Sequence, residues 1–175
     1  LLGSMRLGGR GVYLLDITNV PSSTASESAL ASTIPKWEFS NVRPSGDLGT
    51  DCGAGARHCS SLGYTYESVN IARIKYQNKW VALVSSGYFP IDGTDPASNS
   101  TKANQTSLLV IDLQSGQLIR EILTSTSPDA ATQSFGLSQA IVMDTGTDFI
   151  DDVAIAGDLA GNLWRFDLSG ATPAD

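Results

Sequence analysis

Short apolar runs, each closed by a polar turn, recur along the chain and predict strands rather than long helices. Three of them share one pattern: Gly11-Val-Tyr-Leu-Leu-Asp-Ile-Thr18, Ser107-Leu-Leu-Val-Ile-Asp-Leu-Gln-Ser-Gly116 and Asn162-Leu-Trp-Arg-Phe-Asp-Leu-Ser-Gly170. Each is an apolar strand leaving through Asp-Ile or Asp-Leu into a turn. An aspartate at a strand exit can accept hydrogen bonds from the turn that follows, so Asp16, Asp112 and Asp167 have a structural reason to be there. They lie 96 and 55 residues apart, close to two units and one unit of a repeat of about fifty, the period of propeller blades. Val69 to Lys75 and Trp80 to Ser86 flank a polar turn holding Gln77 and Asn78, which predicts a hairpin, and Gln117 to Leu123 returns in the same way after Ser115-Gly116. Ser26 to Ser32 predicts one short helix.

Three polar insertions, 21–35, 41–61 and 90–106, interrupt these meanders and are expected as surface loops that carry recognition. Composition agrees with this picture. Seventeen Gly and seven Pro with only 17% charged residues favour many strands and turns, and 41% apolar residues over 175 positions give one domain a real core. The expected class is all-β, with residues 1–175 part of one propeller domain of about three to four blades. A closed seven-bladed ring needs more chain than this, so the expectation is a piece of a longer protein, or open blades whose edge strands pair with another chain. The first residues, Leu1-Leu-Gly-Ser-Met-Arg6, lack the layout of a signal peptide, and no apolar run is long enough to span a bilayer. A net charge of -7 argues against nucleic acid and anionic membrane as partners and for cations.

Candidate chemistry centres on Asp144-Thr-Gly-Thr-Asp-Phe-Ile-Asp-Asp152, which runs directly into the last pair of strands. Asp144, Asp148 and Asp152 recur every four residues, a spacing from which a winding loop can aim carboxylates inward around a hard cation, with a backbone carbonyl filling the shell. Calcium is the ligand this favours; solvated turn residues, with Asp151 adding repulsion, are the alternative. Asp92 and Asp95 are a second, thinner cation candidate, and Asn99-Ser-Thr101 and Asn104-Gln-Thr106 match glycosylation acceptors. Cys52 and Cys59 enclose six residues in a Gly-rich loop; they predict a local disulfide and an oxidising compartment, with a zinc site through Cys52, His58 and Cys59 as the rival. His58 is the single histidine, and no Gly-x-Ser-x-Gly surrounds a serine, which leaves a hydrolase triad little to work with. Gly8-Gly-Arg-Gly11 precedes a strand instead of following one, so it predicts a tight turn between blades, not a phosphate loop. Trp37, Trp80 and Trp164 all fall on strand-like segments, where the default is a ring filling the space between packed sheets.

The order of Gly3-Ser4, Gly8 to Thr18, Pro35-Lys-Trp-Glu-Phe-Ser40, Leu62-Gly-Tyr-Thr-Tyr66, Lys79-Trp-Val-Ala82, Ser86-Gly-Tyr88, Leu109-Val-Ile-Asp112 and Ala156-Gly-Asp-Leu-Ala-Gly-Asn-Leu-Trp-Arg-Phe-Asp-Leu-Ser169 resembles the carboxy-terminal β-propeller of type IV pilus tip proteins of the PilY1/PilC family. The resemblance implies a quinoprotein-dehydrogenase-like propeller that is not an enzyme. It implies an adhesion and assembly factor, reaching the pilus tip or outer surface through the periplasm, with minor pilins and a host or surface receptor as partners. It further implies calcium-controlled pilus retraction in twitching motility through a nine-residue loop that binds by positions one, three, five and nine and the carbonyl of position seven. By position the metal ligands are Asp144, Asp148, the Ile150 carbonyl and Asp152. Position three is Gly146, where the family pattern has an acidic or amide residue, and Phe149 stands where a glycine eases the bend. The competing readings are a quinone-dependent dehydrogenase on the same scaffold and a metal-free extracellular β-repeat.

Overall fold

A computed structural model of the chain describes residues 1–18, 24–41, 52–59, 61–67, 69–88, 106–124 and 136–172. The strands among them form three antiparallel sheets. The first holds β1 (Leu2–Ser4), β2 (Gly11–Leu15) and β3 (Pro35–Ser40), the second β4 (Asn70–Ile74), β5 (Lys79–Ser85), β6 (Ser107–Asp112) and β7 (Leu118–Leu123), each in chain order. In the third, β8 (Ile141–Met143), β9 (Val153–Gly157) and β10 (Leu163–Asp167) lie in the order β10-β9-β8. Between β2 and β3 runs α1 (Glu27–Thr33), one residue off the predicted start. Ser26 caps it by accepting a hydrogen bond from the Ala29 amide at 3.3 Å, and Glu27 sits in its first turn, where the helix dipole favours a carboxylate. No helix among the described residues is long and apolar enough to cross a membrane.

The second sheet is the centre of the molecule because both its faces are covered. On one side Ala82, Val84, Leu109 and Ile111 pack with Val12, Trp37, Phe39 and Leu62 around the first sheet; on the other Val81, Leu83, Leu108 and Val110 pack with Ala154, Ala156 and Phe166 of the third. Every residue of β6 is therefore buried, which is why Leu108-Leu-Val-Ile111 has no polar alternate position. Single bridges tie the sheets together at one end: Arg6 to Thr65, Tyr64 to Tyr88 and Gly87 to Leu137. Three stacked meanders of this kind are successive blades of a β-propeller, and they do not close into a ring.

All three strand-exit aspartates do what the sequence predicts. Asp16 accepts from the Thr18 amide at 3.0 Å, Asp112 from the Gln114 and Ser115 amides at 3.0 and 2.8 Å, and Asp167 from the Ser169 amide at 2.9 Å. The repeat arithmetic needs correction. Asp16 and Asp112 belong to sheets that pack directly on one another, so the 96-residue gap is one step lengthened by insertions, not two. The Gly8 to Gly11 segment turns between β1 and β2 inside one sheet, with the Gly8 amide on the Met5 carbonyl, rather than between blades. Trp37 is buried and its indole N–H donates to the Leu113 carbonyl at 2.8 Å, but Trp80 is 56% exposed. It stands on the face of β5 that carries Ala82 and Val84, at the strand entry beyond the reach of the first sheet.

Candidate functional site

The acidic segment connects β8 to β9 and is wound around Asp144. Its Oδ1 accepts from the amides of Gly146 at 3.0 Å and Thr147 at 2.6 Å, and its Oδ2 from Phe149 at 2.7 Å. Collecting three amides from five residues requires a tight reversal, and Thr147 and Phe149 both take left-handed backbones, φ 60° and 63°. Phe149 thus makes the bend that glycine would make more easily, and its ring points to solvent at 85% exposure. Asp148 accepts from the Ile150 amide at 3.0 Å. Asp152 is held by Thr145, whose amide and hydroxyl donate to Oδ2 at 2.9 and 2.5 Å; these bonds, the hydroxyl's first, draw its carboxyl below the ordinary aspartate value. Asp151 is turned toward the neighbouring strand: its Oδ2 accepts from the Arg73 amide at 3.0 Å while its own amide donates to the Arg73 carbonyl at 2.7 Å, clamping the loop to β4.

Asp144 and Asp148 converge over Gly146: a Cβ built there would lie 3.7 Å from Asp148 Oδ1 and 3.9 Å from Asp144 Oδ1. The gap left by the missing side chain is open and faced by two carboxylates. Asp152 is turned to Thr145 instead, and the three aspartates do not bring one oxygen each within 4.8 Å of one another. Among the described residues only Cys52, Cys59 and Glu121 bring ligand atoms that close. That trio is not a metal centre, because Cys52 and Cys59 are joined in a disulfide. The predicted bridge is therefore present and the zinc alternative is overturned. Its loop covers strand edges of two sheets: Gly55 and Ala56 exchange backbone hydrogen bonds with Leu118 of β7, and the Cys59 amide donates to the Ser40 carbonyl of β3. Asp92, Asp95, Asn99 and Asn104 lie outside the described residues.

The family model of the PilY1 beta-propeller domain matches residues 1–175. The chain belongs to this family. It is 33% identical over 175 residues to the type IV pilus biogenesis factor PilY1 of Pseudomonas aeruginosa strain UCBPP-PA14, covering 100% of this chain and 12% of that protein. A PilY1 homolog of Xylella fastidiosa strain Temecula1 is 30% identical over 179 residues, covering 99% of this chain and 10% of the relative. The crystal structure of the Pseudomonas aeruginosa PilY1 C-terminal domain superposes with a TM-score of 0.65 at 28% identity, over 96% of this chain and 26% of that one. The chain thus spans about a tenth of the length of the curated relatives it matches, and a quarter of the solved domain. These relatives are named as pilus biogenesis factors, not as enzymes.

In this PilY1-family chain the sequence marks the loop and its carboxylates, but not the groups that hold them. Thr145 carried no acidic signal, and Arg73 acts through its backbone, which no side-chain pattern marks.

Proposed function

We propose that this chain is the propeller portion of a type IV pilus biogenesis factor that acts without catalysis in pilus assembly, adhesion and retraction control, and that its 144–152 loop binds calcium. The observation that carries the family role is the match of the propeller family over all 175 residues; the one that supports the metal is the pair of carboxylates facing the gap at Gly146. The donor set is oxygen throughout, which suits a hard cation in kind. Asp144, Asp148, Asp152 and the Ile150 carbonyl would hold it, and bound calcium would supply positive charge that neutralises the clustered carboxylates. The three aspartates do not converge in this loop, so occupancy would draw Asp152 inward and reorganise the loop. Minor pilins or the pilus tip are the assembly partners this reading names, with a host or surface receptor at the exposed end, outside the cell.

Extracellular calcium modules bind at roughly 0.1 to 1 mM, and at about 1 mM free ion such a site stabilises the bound form by roughly 0.4 to 1.4 kcal/mol. That biases a loop without deciding whether the domain folds. Calorimetric titration of metal-stripped protein with calcium tests it: saturable heat is expected, lost in Asp148→Ala and larger in Gly146→Asp, which restores a carboxylate at position three. Negligible heat in all three proteins removes the metal reading and leaves the metal-free repeat.

A further inference from the structure

A groove of about 580 Å³ opens at the mouth between the first and second sheets, with Leu14 on one wall and Trp80 on the other. Both walls belong to this chain, and among the described residues nothing fills the space between them. The Trp80 backbone is fixed: it is in register with Arg73 on β4, and its carbonyl accepts from the Leu113 amide at 3.0 Å, so the exposed ring is presented from a paired strand. The floor holds one charged pair, Lys79 and Asp112, which are bonded to each other. Around the ring stand the amide side chains of Gln77, Asn78 and Gln114. Gln77 and Asn78 are successive left-handed residues, φ 49° and 54°, in a hairpin turn where glycine would carry no strain. Their side chains are pre-set: Arg73 Nε donates to Asn78 Oδ1 at 2.9 Å, and Gln77 Nε2 donates to the Tyr76 hydroxyl at 3.1 Å. The other ends of the same amides, a donor on Asn78 and an acceptor on Gln77, remain for a hydroxyl, which needs both.

We propose that this groove binds a neutral saccharide, the C–H face of a pyranose stacking on Trp80 while the carboxamides of Gln77, Asn78 and Gln114 take its hydroxyls. The volume lies in the range of small-molecule sites, about 300 to 1,000 Å³. The Lys79–Asp112 pair leaves the groove without net charge to draw in an ionic ligand, nucleic acid meets a net charge of -7, and an apolar peptide finds little besides Leu14, Trp80 and Leu113 to cover. The inference deepens the adhesive part of the proposed function and is independent of the metal loop.

Saturation-transfer NMR on the intact protein tests it with methyl β-D-galactopyranoside, methyl α-D-glucopyranoside and methyl α-D-mannopyranoside as probes. Transfer to the ring protons of at least one is expected, with a dissociation constant on the order of 1 mM, weakened about tenfold or more by Trp80→Ala and largely kept in Trp80→Phe. Gln114→Ala weakens binding without altering the thermal midpoint, since its side chain is outside the core. No transfer to any of the three sugars, or equal transfer in Trp80→Ala, overturns the proposal. So does self-association in the absence of sugar that Trp80→Ala abolishes, because the groove would then be a protein face. Pilus numbers on cells carrying Trp80→Ala keep this distinct from the assembly role: they stay unchanged if the groove serves sugar, and their loss would show an assembly surface and overturn it.

Discussion

Gly87 shows how little freedom some single positions have. It has φ +66°, and a Cβ there would stand 2.2 Å from the Tyr64 carbonyl oxygen, a backbone atom that cannot swing away. The close approach is what lets Tyr64 bridge Tyr88 while Gly87 bridges Leu137, joining segments beside all three sheets. Gly87→Ala therefore combines a left-handed backbone with a steric clash, and should cost about 2 kcal/mol or more. Thermal unfolding should report it as a fall of about 4–8 °C in the midpoint. The sequence marked Ser86-Gly-Tyr88 as part of a resemblance but could not say why a glycine is needed there, because the reason is a neighbour more than twenty residues away. Trp80 was misread for a related cause: strand alternation puts it on the buried face, and only the length of the partner sheet decides that the face ends before it.

At the scale of elements, the aspartates that close β2, β6 and β10 were legible, since a strand end followed by a polar turn is local information. Their environments differ. Asp16 is exposed, held at about 2 first by Thr18, backbone then side chain, and then by Lys36. Asp112 is buried, which by itself would raise its carboxyl; hydrogen bonds from Lys79 and then Ser115 overcome that and hold it below the ordinary value. A carboxylate lowered in the folded state contributes stability that is complete above its unfolded value, about 3.9, and disappears as pH falls through the lower folded value. Asp112→Asn should thus cost about 1–3 kcal/mol at neutral pH and little in strong acid, where the native carboxylate is protonated. Midpoints measured from pH 7 down to 2 should converge; parallel curves would show that the Lys79 pair contributes nothing specific. The disulfide loop was legible as a pairing of cysteines, but its covering of β7 and β3 edges was not, because backbone hydrogen bonds leave no mark on residue identity.

For the whole molecule, the class and the meander order could be taken from the sequence, while the stacking could not: strand spacing suggested a missing blade between Asp16 and Asp112 where there is direct contact. Because β6 is shared, adjacent residues serve opposite cores. Leu108 faces the third sheet and Leu109 the first, both fully buried. Leu108→Ala and Leu109→Ala should each cost about 2–5 kcal/mol. Denaturant titration should show one transition shifted in both variants, whereas two separable steps would mean that the sheets fold as independent layers. The clamp of Asp151 on Arg73 gives this unity a direction. It is a two-bond seam from the acidic segment to the edge of the adjacent sheet, and Arg73 passes it on to the turn beside Trp80. The acidic segment and the adjacent blade therefore share one backbone seam, so the 144–152 turn is anchored outside its own sheet.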